Sequence, residues 1–434
     1  SDYTKWGASQ TGDIVTAPGL WSLDNFGNKL IATIFDGATF EWDSDGSTST
    51  RATIVANAPT AAIKTLVSTP DRHLVFIGTE TTIGTTSTQD DMYIRWSDQE
   101  SINASTSYAP SATNTAGTQR LADGTRIVSA IRGRDAIYIW TDTSLFIMRF
   151  VGAPFVFSFQ QVGTNCGLIG KNAAVEVDGS AYWMSENGFF RYTGKLDSLA
   201  CLVEDYVYDD INTVPKQHIY AGLNNLFGEV TWFYPGSGAA SNNRAVTYNY
   251  MDSTPERPVW TTSSLSRSTW ADSSIFGKPH ATEYDSSATS DTTVGNTDGV
   301  TTYFEHETGV NQIKAGSSST IAASIESGDF DISMAQGGGA DLRGDGENIM
   351  KIRRVLPDFL QQTGDARVTL NLKNYPTDAQ ASSSLGPFTS TTSTTKIDTR
   401  ARARAISLKV DNTSTKQHWK LGTFRLDIQA DGRR

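Results

Sequence analysis

Apolar and polar residues alternate over short runs along most of this chain, and tight-turn dipeptides separate the runs. Leu30–Phe35 and Ala38–Trp42 flank Asp36-Gly37. An Asp-Gly pair between alternating runs is a hairpin signal, because Gly accepts the positive φ that the turn needs. Ile127–Ile131, a Gly-Arg-Asp turn, Ala136–Trp140 and Leu145–Phe150 predict a three-strand meander. Ala174–Val177, Ala181–Met184 and Phe189–Tyr192 predict another, joined through Asp178-Gly179 and Asn187-Gly188. Glu229–Tyr234 pairs with Ala245–Tyr250 across a Gly/Ser/Asn-rich loop, and His73–Gly78 with Met92–Trp96 across a Thr-rich one. The units recur at roughly 40–50 residues, the spacing of four-stranded blades. The pattern predicts an all-β fold, a degenerate β-propeller without a WD or kelch signature. The one helical signal, Leu202–Ile211, is ambiguous because of its Val and Tyr content.

Tyr303–Glu307 reads as the last strand near the propeller, after a loop-like Asp285–Gly299, and Ala315–Thr320 reads as a linker. Beyond it Ile321–Asp331 alternates and Gln336–Gly346 is loose. Ile349–Phe359, Arg367–Leu372, Ala405–Val410 and Phe424–Ile428 predict strands of a β-sandwich or barrel. The Ser/Thr run Ser382–Thr395 reads as a long exposed loop, or an edge that meets a neighbour. The expected division is a propeller-like domain of several meander blades over 1–314 and a C-terminal sandwich or platform over 315–434.

Composition narrows the function classes. The 434 residues carry a net charge of −11 and a pI of about 5.0. A protein that grips phosphate needs a basic surface. An acidic one is compatible with solubility, and with a wall that DNA slides past. Cys166 and Cys201 form no metal-like pattern and read as small buried hydrophobes, with a bridge between them left open. The longest apolar runs are strand-sized, well short of the ~20 residues of a membrane-spanning helix. The chain opens at Ser1 without a signal-peptide pattern, which leaves open whether it is part of a longer protein.

Candidate chemistry is sparse. His73, His218, His280, His306 and His418 share no ligand spacing, and Glu305-His306-Glu307 on a strand would alternate between faces. Asp43 and Asp45 begin like a calcium loop, but Ile54 stands where a bidentate Glu is needed. Glu204, Asp205, Asp209 and Asp210 supply carboxylates of the kind glycoside hydrolysis uses, and read better as a solvated segment between blades. No cofactor motif is present, and no Ser or Thr sits in a nucleophile context. Trp96, Trp140, Trp183, Trp232, Trp260 and Trp270 fall in or beside predicted strands and read as blade core. The basic residues concentrate late, as Arg353, Arg354, Arg400, Arg402, Arg404 and Arg425, followed by Arg433 and Arg434. Arg400, Arg402 and Arg404 alternate, so they line one face. Such a row wants carboxylates, and the acidic N-terminal part of a neighbouring copy can supply them. A solvated strand face is the alternative, and DNA contact ranks below both.

Several stretches carry a family resemblance. Ile94-Arg95-Trp96-Ser97-Asp98-Gln99-Glu100, Ser111–Gly117 and Gln119-Arg120-Leu121 lead into Trp140-Thr141-Asp142, Phe150-Val151-Gly152 and Gly167-Leu168-Ile169-Gly170. Tyr182-Trp183-Met184, Tyr206–Asn212, Ser327–Asp331, Arg353–Asp358, Trp419–Gly422, Arg425–Ile428 and Asp431–Arg434 continue it. With these the chain resembles the tail nozzle, or tubular tail protein B, family of podoviruses, the short-tailed bacteriophages. The resemblance implies a non-enzymatic virion protein without cofactors, made in the bacterial host cytoplasm. It implies a homohexameric ring below the tail adaptor protein that extends and gates the DNA ejection channel. Tail fibres would dock nearby, DNA would pass without specific binding, and the distal end would meet the host cell surface. Family members are often longer, and the gate residues stay open. Thr81–Asp91, Pro235–Asn243, Ser286–Asp298 and Ser382–Thr395 are the candidate lumen or tip loops. Two other classes compete: a tail-associated polysaccharide-degrading enzyme, which needs facing carboxylates in a cleft, and a glycan-binding module, which needs aromatics exposed on a concave surface.

Overall fold

The computed structural model describes residues 20–432, except 47–48, 70, 274–275, 286–299, 315, 333–347 and 376–382. The chain forms two compact units, Ser1–Glu307 and Thr308–Arg434. In the first unit, five four-stranded antiparallel meanders and one three-stranded sheet follow one another. We number these sheets as blades one to six. Their first strands are Trp21–Phe26, Ala62–Val67, Ile127–Arg132, Ala174–Val177, Tyr220–Asn224 and Thr269–Ala271. Each first strand packs beside the first strand of the next blade, so the first strands line the axis of a β-propeller.

The predicted hairpins are present. Asp36 and Asp178 both adopt positive φ (53° and 48°) in the turns read from sequence, and Ala174↔Trp183 and Ala181↔Tyr192 fix the register of blade four. Aromatic residues fill the spaces between blades. Trp140, Trp183 and Trp232 are wholly buried, each on the second strand of its blade. Trp140 and Trp183 meet edge-to-face at 5.4 Å. Phe189 lies 4.9 Å from Trp232, and Phe233 lies 5.6 Å from Trp270. Most indole N–H groups are also tied down. Trp183 donates to Cys166 O at 2.8 Å, Trp232 to Ala173 O at 3.0 Å and Trp270 to Leu223 O at 2.7 Å. In blade two, Trp96 lies flat against Gly117, where a Cβ would strike its ring. Cys166 and Cys201 are both free thiols. The helical signal resolves as α1, Glu204–Asp210.

The second unit is a β-sandwich. One sheet runs in the order Ser324–Glu326, Ala405–Asp411, Ala366–Lys373, Ser383–Ser390, and the other Ile397–Ala403, Met350–Leu356, Arg425–Ala430. Their inner faces share a core that includes Ile352, Val355, Val368, Leu370, Ala401 and Ile406. Two expectations need correction here. Ser317–Thr320 is not linker but a strand, paired with Asn311–Lys314. Ile349–Phe359 is two strands, Met350–Leu356 and Phe359–Thr363, because Pro357 cannot donate to a ladder. Of the two readings of Ser382–Thr395, an edge is formed by Ser383–Ser390, where Leu385 and Phe388 pack on the core, Ser383, Ser384 and Thr389 are exposed and Ser390 is buried. Gln336–Gly346 lies outside the described residues.

Replacing Trp183 by Ala removes a buried ring and strands the Cys166 carbonyl. It should lower the propeller's unfolding free energy by about 3–5 kcal/mol, read from denaturant titration. A loss below about 1 kcal/mol would contradict the inter-blade role assigned to this ring.

Candidate functional site

Strand direction alternates within a blade. The loops between second and third strands, and the connectors between blades, therefore share one face of the propeller. Cross-links on that face bear this out. Asn212 N–H donates to Pro235 O at 2.8 Å, and Thr125 N–H donates to the Asp142 carboxylate at 2.9 Å. Thr81–Asp91 and Pro235–Asn243 both belong to this face, as the second-to-third-strand loops of blades two and five. Ser286–Asp298 lies outside the described residues.

The roots of the two described loops are structural. Gln89 donates to Asp36 Oδ1 at 3.0 Å and to Gly78 O at 3.1 Å. The buried Arg95 guanidinium donates to Tyr108 O and Thr81 O, both at 2.9 Å. Asn243 Oδ1 accepts from Gly236 N–H at 2.8 Å, and Asn242 donates to His218 O and Arg267 O at 2.7 and 2.9 Å. The exposed tips are Thr82 and Gly84–Ser87 in one loop, whose end residues Thr81 and Asp91 are exposed as well, and Ser237, Gly238 and Ala240 in the other.

Sequence reading missed a charged group near the axis on this face. Lys171 precedes the first strand of blade four, and its Nζ lies buried over the Phe35 ring without a hydrogen-bond partner. Burial pushes the ammonium down to about 7. Nearby Asp36 opposes the shift, while Arg126 and Lys64 add to it. Lys64 donates to Ser129 Oγ at 3.2 Å, and burial pushes it down to about 8. Burial raises the Asp36 carboxyl, against the Gln89 hydrogen bond and Lys171. A lone Lys inside the apolar run Ala62–Val67 was the available signal.

The other singled-out groups have local roles. Asp43 and Asp45 both accept from Asn28 and close a turn. His306 lies beyond the end of its strand, against Trp270 at 4.6 Å. There Arg267 Nε donates to it at 2.9 Å, and burial, with Arg267 and His280, holds its imidazole down at about 4. Asp210 pairs with Arg244 at 3.1 Å, whereas Asp205 and Asp209 are exposed. Among the described residues, no three His, Cys, Asp or Glu side chains converge as a metal set.

The Arg-rich segment forms a sheet face. Met350, Ile352 and Val355 point into the sandwich. On the outer side Lys351 stands opposite Arg402 and Gln429, Arg354 opposite Asp398 and Asp427, and Leu356 opposite Arg425. A register shift between Ile352 and Arg354 carries the exposed Arg353, and the exposed Arg400 lies on the facing strand. Arg354 lies 3.8 Å from Asp398 and 3.7 Å from Asp427, and Arg402 pairs with Asp431 at 2.5 Å. Among the described residues Arg353, Arg400 and Arg425 pair with no carboxylate. Arg404 departs from the expected row: it lies between the strands Ile397–Ala403 and Ala405–Asp411, where its N–H bonds Lys373 O at 3.1 Å. Arg433 and Arg434 lie outside the described residues.

No protein-family model and no curated protein matches this chain. Solved structures similar to it include Sqt1 from Saccharomyces cerevisiae, at 10% identity and a TM-score of 0.40, covering 62% of this chain and 70% of that one. BamB from Moraxella catarrhalis is similar at 13% identity and a TM-score of 0.33, covering 66% and 82%. The AfRom2 CNH domain is similar at 11% identity and a TM-score of 0.37, covering 61% and 77%. At these scores the likenesses carry no functional argument.

The buried Lys171 makes a pH-dependent difference. Its folded pKa lies below the unfolded value of 10.5, so the unfolded chain binds the extra proton between these limits. Stability relative to Lys171→Met should therefore rise from pH 7 to 9, with a slope approaching about 1.4 kcal/mol per pH unit. Denaturant titrations at several pH values read this directly, and a flat difference would place the amine in water.

Proposed function

We propose that this protein is a structural component of a bacteriophage virion, the distal nozzle ring of a short tail, which extends and gates the DNA ejection channel. The observation that carries the reading is the near-continuous resemblance of its sequence to that family. The β architecture agrees with it: a propeller wedged by buried indoles is a stiff frame, and short exposed loop tips on rigid roots suit a gate. In this reading the ring is hexameric and docks beneath the adaptor ring. The Arg-rich outer sheet face, with Arg353, Arg354, Arg400, Arg402 and Arg425, forms one side of the subunit contact, and Arg404 supports its corner. DNA passes without specific binding, in keeping with the net charge of −11. Contact with the host surface shifts the ring toward an open state that it already samples.

The polysaccharide-degrading alternative requires two facing carboxylates in a cleft, and the acidic side chains of 204–210 give it little support. Asp205 and Asp209 face solvent, and Asp210 is held by Arg244. The glycan-binding alternative requires exposed aromatics, and the Trp side chains of blades three to five pack between sheets.

The gate is tested by shortening the exposed tips, Thr82–Ser87 and Ser237–Ala240, separately and together, in assembled particles. Packaging should proceed and DNA should then leak on storage or mild heating. Full retention by the doubly shortened particle would remove these loops from the gate.

A further inference from the structure

The proposed ring contact has one side assigned, the basic sheet face, and the propeller carries a surface that complements it. Helix α1 is clamped to blade four from one side only. Val207 is buried, Val203 and Ile211 pack on the core, and Tyr208 Oη donates to Ser185 O at 2.7 Å. The opposite side presents Asp205, Tyr206 and Asp209, with Asp209 one turn on from the other two, and Leu202 stands exposed in the turn just before the helix. Leu202 is 78% exposed, Tyr206 55%, and the nearby Val214 69%. Among the described residues Asp205 and Asp209 make no ion pair. This is an apolar patch flanked by two uncommitted carboxylates. Charge depletion at the centre, aromatic content and a charged rim are features of recognition surfaces. The sandwich face has the reciprocal character, with Arg353, Arg400 and Arg425 uncommitted on the sheet that carries the exposed Leu356.

We infer that the outer face of α1 on one copy docks on the Arg-rich sheet face of the next copy. Asp205 and Asp209 would accept from the guanidinium groups, and Leu202 and Tyr206 would cover Leu356. The inference rests on the ring reading and adds the missing side of its contact. Two different patches meet, so the contact is head-to-tail, the type that closes rings.

The test uses two charge-reversed full-length chains, Asp205→Lys/Asp209→Lys and Arg400→Glu/Arg425→Glu, studied singly and mixed by sedimentation velocity. Each alone should self-associate at least about tenfold more weakly than the unaltered chain. An equal mixture should recover association, because every contact then joins opposite charges when the two chains alternate. Recovery also shows that both variants fold. Association unaffected by either reversal, or lost without recovery on mixing, overturns this contact. If electron micrographs of those unaffected assemblies still show closed rings, the ring reading stands without it. Recovery that yields open chains instead of rings supports the contact and overturns the ring reading. An unaltered chain that stays monomeric at every concentration overturns the contact.

Discussion

The indoles between the blades are the interaction on which the first unit depends. A propeller blade buries both faces against its neighbours, so each gap needs a side chain large enough to fill the splay between twisted sheets. Trp140, Trp183 and Trp232 fill it from equivalent second strands, and Trp260 and Trp270 extend the series outward and forward. A hydrogen bond from most of these rings ties a blade to the backbone of an earlier one. Trp183 holds Cys166, Trp232 holds Ala173, Trp260 holds Ala200 at 2.8 Å and Trp270 holds Leu223. The packing force has no direction of its own, and the N–H bonds give it one. The connectors are thereby fixed, and with them the roots of the loops on that face.

The second unit is built on a different constraint. Its strands carry an apolar inner side and a charged outer side, so the pleat alone sorts Ile352 and Ala401 inward and Arg354 and Arg402 outward. Carboxylates on the neighbouring strands, Asp398 and Asp427, neutralise part of that outer face. Exposed pairs of this kind contribute little to stability. What they do is divide the guanidinium groups into those already engaged and those still available to a partner.

The sequence was most legible where local chemistry decides the structure. Asp36-Gly37 and Asp178-Gly179 announce hairpins because a residue with positive φ is needed there. The central strands are continuous enough in apolar residues to be seen. The innermost strands of blades three and four were read, but those of blades one and two were missed, since Asp24 and Lys64 interrupt their apolar pattern. So were the outer strands Gly117–Arg120, Leu196–Leu199 and Arg257–Ser263, whose exposed positions dilute any alternation. The Arg row was visible from its spacing, apart from Arg404 at the corner. Asp398 and Asp427 stand close to these arginines in sequence, but the ion pairs Arg354–Asp398, Arg354–Asp427 and Arg402–Asp431 join residues distant in sequence, so no spacing reveals the pairings. The electrostatic influence of Asp36 on Lys171 is hidden because the two lie far apart in sequence. At Ser383–Ser390 the Ser/Thr content left loop and edge both open, and two apolar residues, Leu385 and Phe388, suffice to hold an edge strand on the core.

The proposed nozzle requires copies of this chain to close around a channel. Electron microscopy of the full chain, alone and mixed with the adaptor ring proposed as its partner, puts this ring to the test. The expected result is a closed ring with an axial channel, six copies around, seated on the adaptor. A chain that stays monomeric beside the adaptor and binds or cleaves a host glycan would contradict it.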